Sequence, residues 1–435
     1  MKTAYRHMAV AIVAIISSLV SSMSAQTAPM SLEECRRMAL ENNVKIRTAR
    51  NAVGMAEQTR KEAFTKYFPQ INATGFAFKS NKGVIQFGVL DFLTVSFFDK
   101  SVNGGVTAVQ PVFMGGQIVN GNKLAEIGVA VSELQRRQTA DDVVLTVDKY
   151  YWQIAALRAK RRTLDAAMTA VDSLCHDVQA ALDAGLITAN DLLEARLRLN
   201  QLRADKVDLD NGIALCGMVL AQYIGADSTS VDIDFVEAPD SIGIPYDLYR
   251  EPSTCIAESP QYQLLEKNLD AAKLRQRMEL GKNLPMVGAG AGYFYQNALD
   301  TNHGYGAVFV AVNIPISGWW GGSHAMKRRK LETQTARIEL DDYAELIEIG
   351  MRKAWDDLTA AQRKAAIAME SIGQSAENLR LYRVFYSAGT TTITDLLAAE
   401  ALHRQSCDDY TEAYAEYQVK LTEYLIATSQ LATGQ

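Results

Sequence analysis

The residues best suited to chemistry are dispersed. Five histidines (His7, His176, His303, His324, His403) show no metal-ligand spacing, and HExxH, GxSxG and the phosphate-binding Gly-Lys loop are all missing. Five cysteines (Cys35, Cys175, Cys216, Cys255, Cys407) are scattered, odd in number and without CxxC spacing, which reads as helix packing rather than a disulfide framework. Gly-Ala-Gly-Ala-Gly at 288–292 sits in a strand pattern with no helix after it, so it suits close packing between strands better than a dinucleotide. No enzyme, cofactor or metal is expected. What does recur is a turn: AGLITANDLL at 184–193 and AGTTTITDLL at 388–397 share Ala-Gly, a Thr-rich centre and Asp-Leu-Leu. Asp191 and Asp395 fall in register within it. Carboxylates there can cap the helix that follows, and Gly185 and Gly389 suit left-handed backbone where one helix stops.

The elements that position these turns repeat as well. Residues 31–67 read as one helix, capped by Ser31 and closed by Pro69; strands are predicted at about 70–78 and 104–114. A helix from Gly116 to about Asp183 carries Val143, Val147, Tyr150, Ile154 and Leu157 at coiled-coil spacing, and another helix follows the turn to Tyr223. After a linker at 225–252 the order restarts: helix 261–283, Pro285, strands at 286–296 and 305–316, a long helix over 323–386, the second turn and a last helix. The first repeat is thus 26–224, with its hairpin at about 70–114, and the second is 253–435, with its hairpin at about 286–316. Stacked end to end, the two shorter helices of a repeat would match its long one, over roughly 100 Å at 1.5 Å per residue. The run 79–103 either prolongs the strands or folds over them.

Residues 1–25 place Lys2 and Arg6 before a short apolar core and a small-residue end, the pattern of an export signal. Its removal moves the formal charge from −6 to −8, an acidic balance that argues against a nucleic-acid partner. No later stretch is long and apolar enough for a spanning helix, so any membrane passage must use strands. Segments 71–78, 104–121, 284–299 and 304–323 hold no Asp, Glu, Lys or Arg. That suits a lipid-facing barrel wall. Tyr67, Phe68, Phe113, Trp319 and Trp320 gather at the helix-proximal strand ends, as a membrane-interface girdle would. Four strands cannot close a barrel; three copies of the chain would give twelve, although three is not a number the apolar stripes dictate. Lys327-Arg-Arg-Lys330 reads as a solvated face, a contact with acidic lipid heads or a contact with a neighbouring protomer.

With these features assembled, the chain resembles the outer-membrane efflux (TolC-like) family. The match lies in the duplicated plan, in Pro before each hairpin, in Gly115-Gly116 and Gly321-Gly322 after, and above all in YSAGTTTITDLL at 386–397. The resemblance implies a mainly α fold with a membrane β-barrel: a homotrimer with a twelve-stranded barrel and a periplasmic α-helical tunnel. It implies the outer membrane of a Gram-negative bacterium, with outer-membrane lipid around the barrel and an inner-membrane transporter and periplasmic adaptor as partners. It also implies a gate at Asp191, Tyr386, Thr391 and Asp395, with Asp395 as a possible threefold ring of carboxylates, and adaptor-contact turns at Gly185, Leu192, Gly389 and Leu396. Thr391 and Ala398 stand where better-known members carry arginine and aspartate, which implies a thinner latch. The alternative is a periplasmic coiled-coil adaptor, which normally carries one helical hairpin rather than two.

Overall fold

The computed structural model describes residues 29–431 apart from 82–84, 91–92, 98–99, 186, 227–228, 235–237, 240, 299–300 and 317. The expected export signal lies outside the described residues. In chain order the main elements are α1 (Leu32–Asn42), α2 (Val44–Thr65), β1 (Gln70–Lys79), β2 (Ile85–Leu90), β3 (Leu93–Phe97), β4 (Lys100–Phe113), α3 (Gln117–Asp183), α4 (Ala189–Ile224), α5 (Pro260–Lys282), β5 (Met286–Ala298), β6 (Thr301–Asn313), α6 (Gly318–Ser387) and α7 (Ile393–Ala427). Two compact units result: Met1–Arg47 with Ala140–Arg250 and Met351–Gln435, and Thr48–Thr139 with Glu251–Gly350.

The first unit is helical. Val143, Val147, Tyr151 and Ile154 of α3 pack on Cys35 and Ala39 of α1 and on Leu220 and Ile224 of α4. Tyr151, not the expected Tyr150, is the fully buried ring. One polar cluster centres on the fully buried Asp148, which accepts from Arg36 Nε at 2.7 Å, from Arg36 Nη2 at 2.5 Å and from Thr422 Oγ1 at 2.6 Å. It ties α1, α3 and α7 together. The single helix expected over 31–67 is broken at Asn43, whose backbone is extended. Asparagine offers the chain a side-chain alternative to helical bonds: Asn43 Oδ1 accepts from Lys45 N–H at 2.8 Å, and its amide donates to the Tyr223 carbonyl at 2.7 Å. Within the linker, Ile233 forms an isolated parallel bridge with Met30.

The second unit contains a four-stranded antiparallel sheet, ordered β1-β4-β5-β6, and a separate pair, β2-β3, within the 79–103 run. β1 and β4 also lengthen into that run, as far as Lys79 and Lys100, which face one another. Alternation along each strand and the pairing register define two faces. One carries Ile71, Ala108, Ala291 and Val308 in one row, then Ala73, Val106, Tyr293 and Gly306. The other carries Asn72, Thr107, Gly292 and Ala307, then Thr74, Gly105, Phe294 and Tyr305, then Phe76, Asn103, Gln296 and His303. The first face is oily and exposed, Val308 by 87% and Val310 by 69%; the second mixes amides and hydroxyls with rings.

At the helix-proximal end of the sheet, Gly115 and Gly281 touch backbone to backbone. A Cβ on either would lie 2.1 Å from the carbonyl oxygen of the other. Asn122 Nδ2 donates to the Ala63 carbonyl at 3.0 Å, and Thr333 meets Gln276 at 3.1 Å, joining α3 to α2 and α6 to α5. The two Gly-Gly pairs are not equivalent: Gly115 and Gly116 have positive φ ahead of α3, whereas Gly321 and Gly322 lie inside α6. Tyr67, Phe68, Phe113 and Trp320 are exposed at this level, and Trp319 sits in the first turn of α6 with its side chain outside the described residues.

Candidate functional site

The repeated turn builds the same local machine twice in the helical unit. Gly389 (φ +69°) follows α6, its N–H bonded to the Tyr386 carbonyl at 3.0 Å while Thr390 N–H reaches Phe385 O at 3.0 Å. That pair of bonds is a Schellman stop. Gly185 (φ +72°) repeats the inner bond, to Leu182 O at 2.9 Å. Two residues beyond each glycine's neighbour, a threonine starts the next helix. Asp395 Oδ2 accepts from Thr392 Oγ1 at 2.6 Å, Thr391 Oγ1 at 3.0 Å and Thr392 N–H at 3.2 Å, and Thr392 Oγ1 accepts from Asp395 N–H. Asp191 Oδ2 takes the Thr188 hydroxyl at 2.8 Å and its N–H at 3.0 Å. Both aspartates are therefore engaged as helix caps.

The hydrogen bonds from Thr392, and then Thr391, hold the Asp395 carboxyl below its ordinary value. Tyr386 lies half-buried nearby. Burial, then the charges of Asp191 and Asp177, push its phenol up, so it stays a neutral hydroxyl. Tyr386 lines a cleft of about 500 Å³ with Leu174, Asp177, Arg383, Leu397 and Glu400, across which Arg383 meets Glu400 at 2.9 Å. Thr394 Oγ1 donates to Glu194 at 3.1 Å, linking the two turns. Leu192 and Leu396 point inward, only 6% and 7% exposed, whereas the glycines stand at the tips with open space around them.

Sequence reasoning placed Asp191, Tyr386, Thr391 and Asp395, and the structure gathers them around these turns. It missed Arg383, Glu400, Glu194 and the Arg36–Asp148–Thr422 cluster. Only the 17-residue spacing across the turn could have hinted at Arg383–Glu400.

Among the described residues no group of three His, Cys, Asp or Glu could hold a metal ion, and no helix is long and apolar enough to cross a membrane. The nearest approach to a nucleophile cluster is Ser375 Oγ to His403 Nδ1 at 3.2 Å, with Cys407 at 3.9 Å from Nε2. Burial, then Asp408 and Glu400, push that thiol up, the reverse of activation.

Residues 36–226 match the family model described as outer membrane efflux protein. The rest of the chain continues the same fold. The crystal structure of the outer membrane protein VceC from Vibrio cholerae aligns with a TM-score of 0.76 at 14% identity, over 91% of this chain and 95% of that one. CusC, described in the context of transmembrane channel formation, gives 0.78 at 16%, over 93% and 95%. The Campylobacter jejuni CmeC outer membrane channel gives 0.76 at 13%, over 93% and 86%. No curated protein matches the chain. The fold of these channel proteins thus extends across both repeats.

Proposed function

We propose that this protein is a passive exit duct in the outer membrane of a Gram-negative bacterium. Three copies pair their sheets edge to edge into one barrel, and their helices form a tunnel in the periplasm. The observation that carries the reading is the four-stranded sheet itself. It has one oily face, charged only at its far end by Lys79 and Lys100, one face with polar groups, and two edge strands, β1 and β6, that no described strand pairs. In hydrocarbon an unpaired edge leaves a row of unsatisfied backbone groups, each costing several kcal/mol. Joining β6 of one copy to β1 of the next removes every edge, and the two faces then fall as a membrane barrel needs, oily outward and wet inward.

The helical unit supports a gate and a docking end. Asp191, Tyr386, Thr391 and Asp395 would narrow the tunnel, with one Asp395 from each copy, and the tips at Gly185 and Gly389 would meet a periplasmic adaptor while Leu192 and Leu396 brace them from within. The driving energy would come from an inner-membrane transporter. In planar bilayers the purified protein should give long-lived aqueous conductance, and on gels a heat-sensitive trimer. A protein that stays monomeric and leaves bilayers silent would refute the duct.

A further inference from the structure

Basic residues collect in the sheet-bearing unit around the exposed rings. Segments 60–70, 114–124, 276–286 and 314–330 hold ten Lys and Arg against two carboxylates, in a chain whose net charge is −6. These four segments converge: Asn122 bonds Ala63, Gly115 touches Gly281, and Arg329 lies 3.5 Å from Glu279. Lys66, Lys123, Lys327 and Lys330 are exposed, and among the described residues no carboxylate pairs with them. Trp320, 81% exposed, stands between the strands and this charge.

We propose that this ring of lysines binds the anionic headgroups of phospholipids in the periplasm-facing leaflet. The inference rests on the barrel reading above. Lys66 adjoins Tyr67, at the level the rings would take at a membrane interface. Lys123, Lys327 and Lys330 lie on helices that leave the sheet, and side chains on a helix lean toward its N-terminus, here back toward the strands. Their stems can therefore carry ammonium groups up to the headgroup layer. Glu279 and Glu332 pair with Lys282, Arg328 and Arg329, so the positive surface that remains is that of the lysines, and a negative surface is its complement.

The test uses the full-length protein in bilayers of phosphatidylcholine and phosphatidylglycerol, with either lipid brominated on its acyl chains to quench the adjacent pair Trp319 and Trp320. Trp152 and Trp355 remain a common background in every sample. Wild type should prefer phosphatidylglycerol on the order of fivefold, the equivalent of about 1 kcal/mol for one lysine at an anionic surface. The preference should vanish in the variant Lys66→Gln/Lys123→Gln/Lys327→Gln/Lys330→Gln, and at about 1 M salt, where the screening length falls to about 3 Å. Equal quenching by both lipids in wild type, or a preference that survives in the variant, overturns the proposal and leaves the barrel standing. Quenching by neither lipid overturns the barrel as well. Loss of the oligomer in the variant without lipid preference in wild type would give the belt to a neighbouring copy instead.

Discussion

Asp148→Ala should be among the most damaging single changes in the helical unit. The Asp148 side chain is fully buried and receives three hydrogen bonds, two from Arg36 and one from Thr422. Truncation leaves a guanidinium that cannot lose its proton facing an apolar void. Breaking a buried pair from one side costs about 3–5 kcal/mol. Arg36 keeps 24% of its side-chain surface, so some hydration survives and the lower end, about 3 kcal/mol, is expected. At roughly 2–4 °C per kcal/mol for a unit of this size, helix loss followed by circular dichroism should move down by about 6–12 °C. Arg36→Met should cost at least as much, because it leaves the fully buried Asp148 carboxylate without its cationic partner. The double variant Arg36→Met/Asp148→Leu, which removes both charges and fills the space, should lie nearer wild type than either single change. A truncated Asp148 that melts with wild type, or a double variant that loses the sum of the two, would refute this account.

Thr392→Ala removes the cap of α7 and should cost about 1 kcal/mol, visible as faster proteolysis across 386–395. Because hydrogen bonds hold the Asp395 pKa below its ordinary value, their contribution is fully present above the free-aspartate pKa of about 4 and is lost as pH falls through the folded value. The same cleavage should therefore accelerate in acid for wild type but not for Asp395→Ala. Asp395→Asn keeps an acceptor for the cap and removes the charge, so weaker block of single-channel current by multivalent cations would place Asp395 at the constriction, and unchanged block would remove it. Gly389→Ala meets no atom within 4 Å, so its expected loss of about 1–2 kcal/mol is pure backbone strain at φ +69°, measurable as a lower unfolding midpoint. Val310→Arg, on the oily face, should cost about 2–4 kcal/mol of membrane folding, while Asn103→Arg on the opposite face should leave the folded fraction on gels close to wild type.

What could be read from the chain alone follows the range of each interaction. Charge-free segments bounded by Pro69 and Pro285 announce the strands, and the recurrence of Asp-Leu-Leu after Ala-Gly announces the two turns, because these signals are local. The helix break at Asn43 was missed because neither glycine nor proline marks it; an asparagine side chain does the work by reaching Tyr223, 180 residues away. The two-faced character of the first hairpin is faint in sequence. Ile71, Ala73, Val106 and Ala108 form a surface only once the register sets them beside Tyr293 and Val308. Asp148 meets Arg36 across 112 positions and Thr422 across 274, and no periodicity reports such a meeting. At the turns, residue types show that a carboxylate is present, while only geometry shows that it is already bonded to threonines.

The contact of Gly115 with Gly281 lies at the root of the seam where the first hairpin, through β4, is stitched to the second, through β5. A slip of one residue along that seam would invert which side chains of one hairpin look toward oil and which toward water. With no side chain on either glycine and no room for one, the two backbones nest at a single offset. Two atoms of hydrogen therefore act as the gauge that keeps a wall assembled from two distant stretches of chain facing the right way.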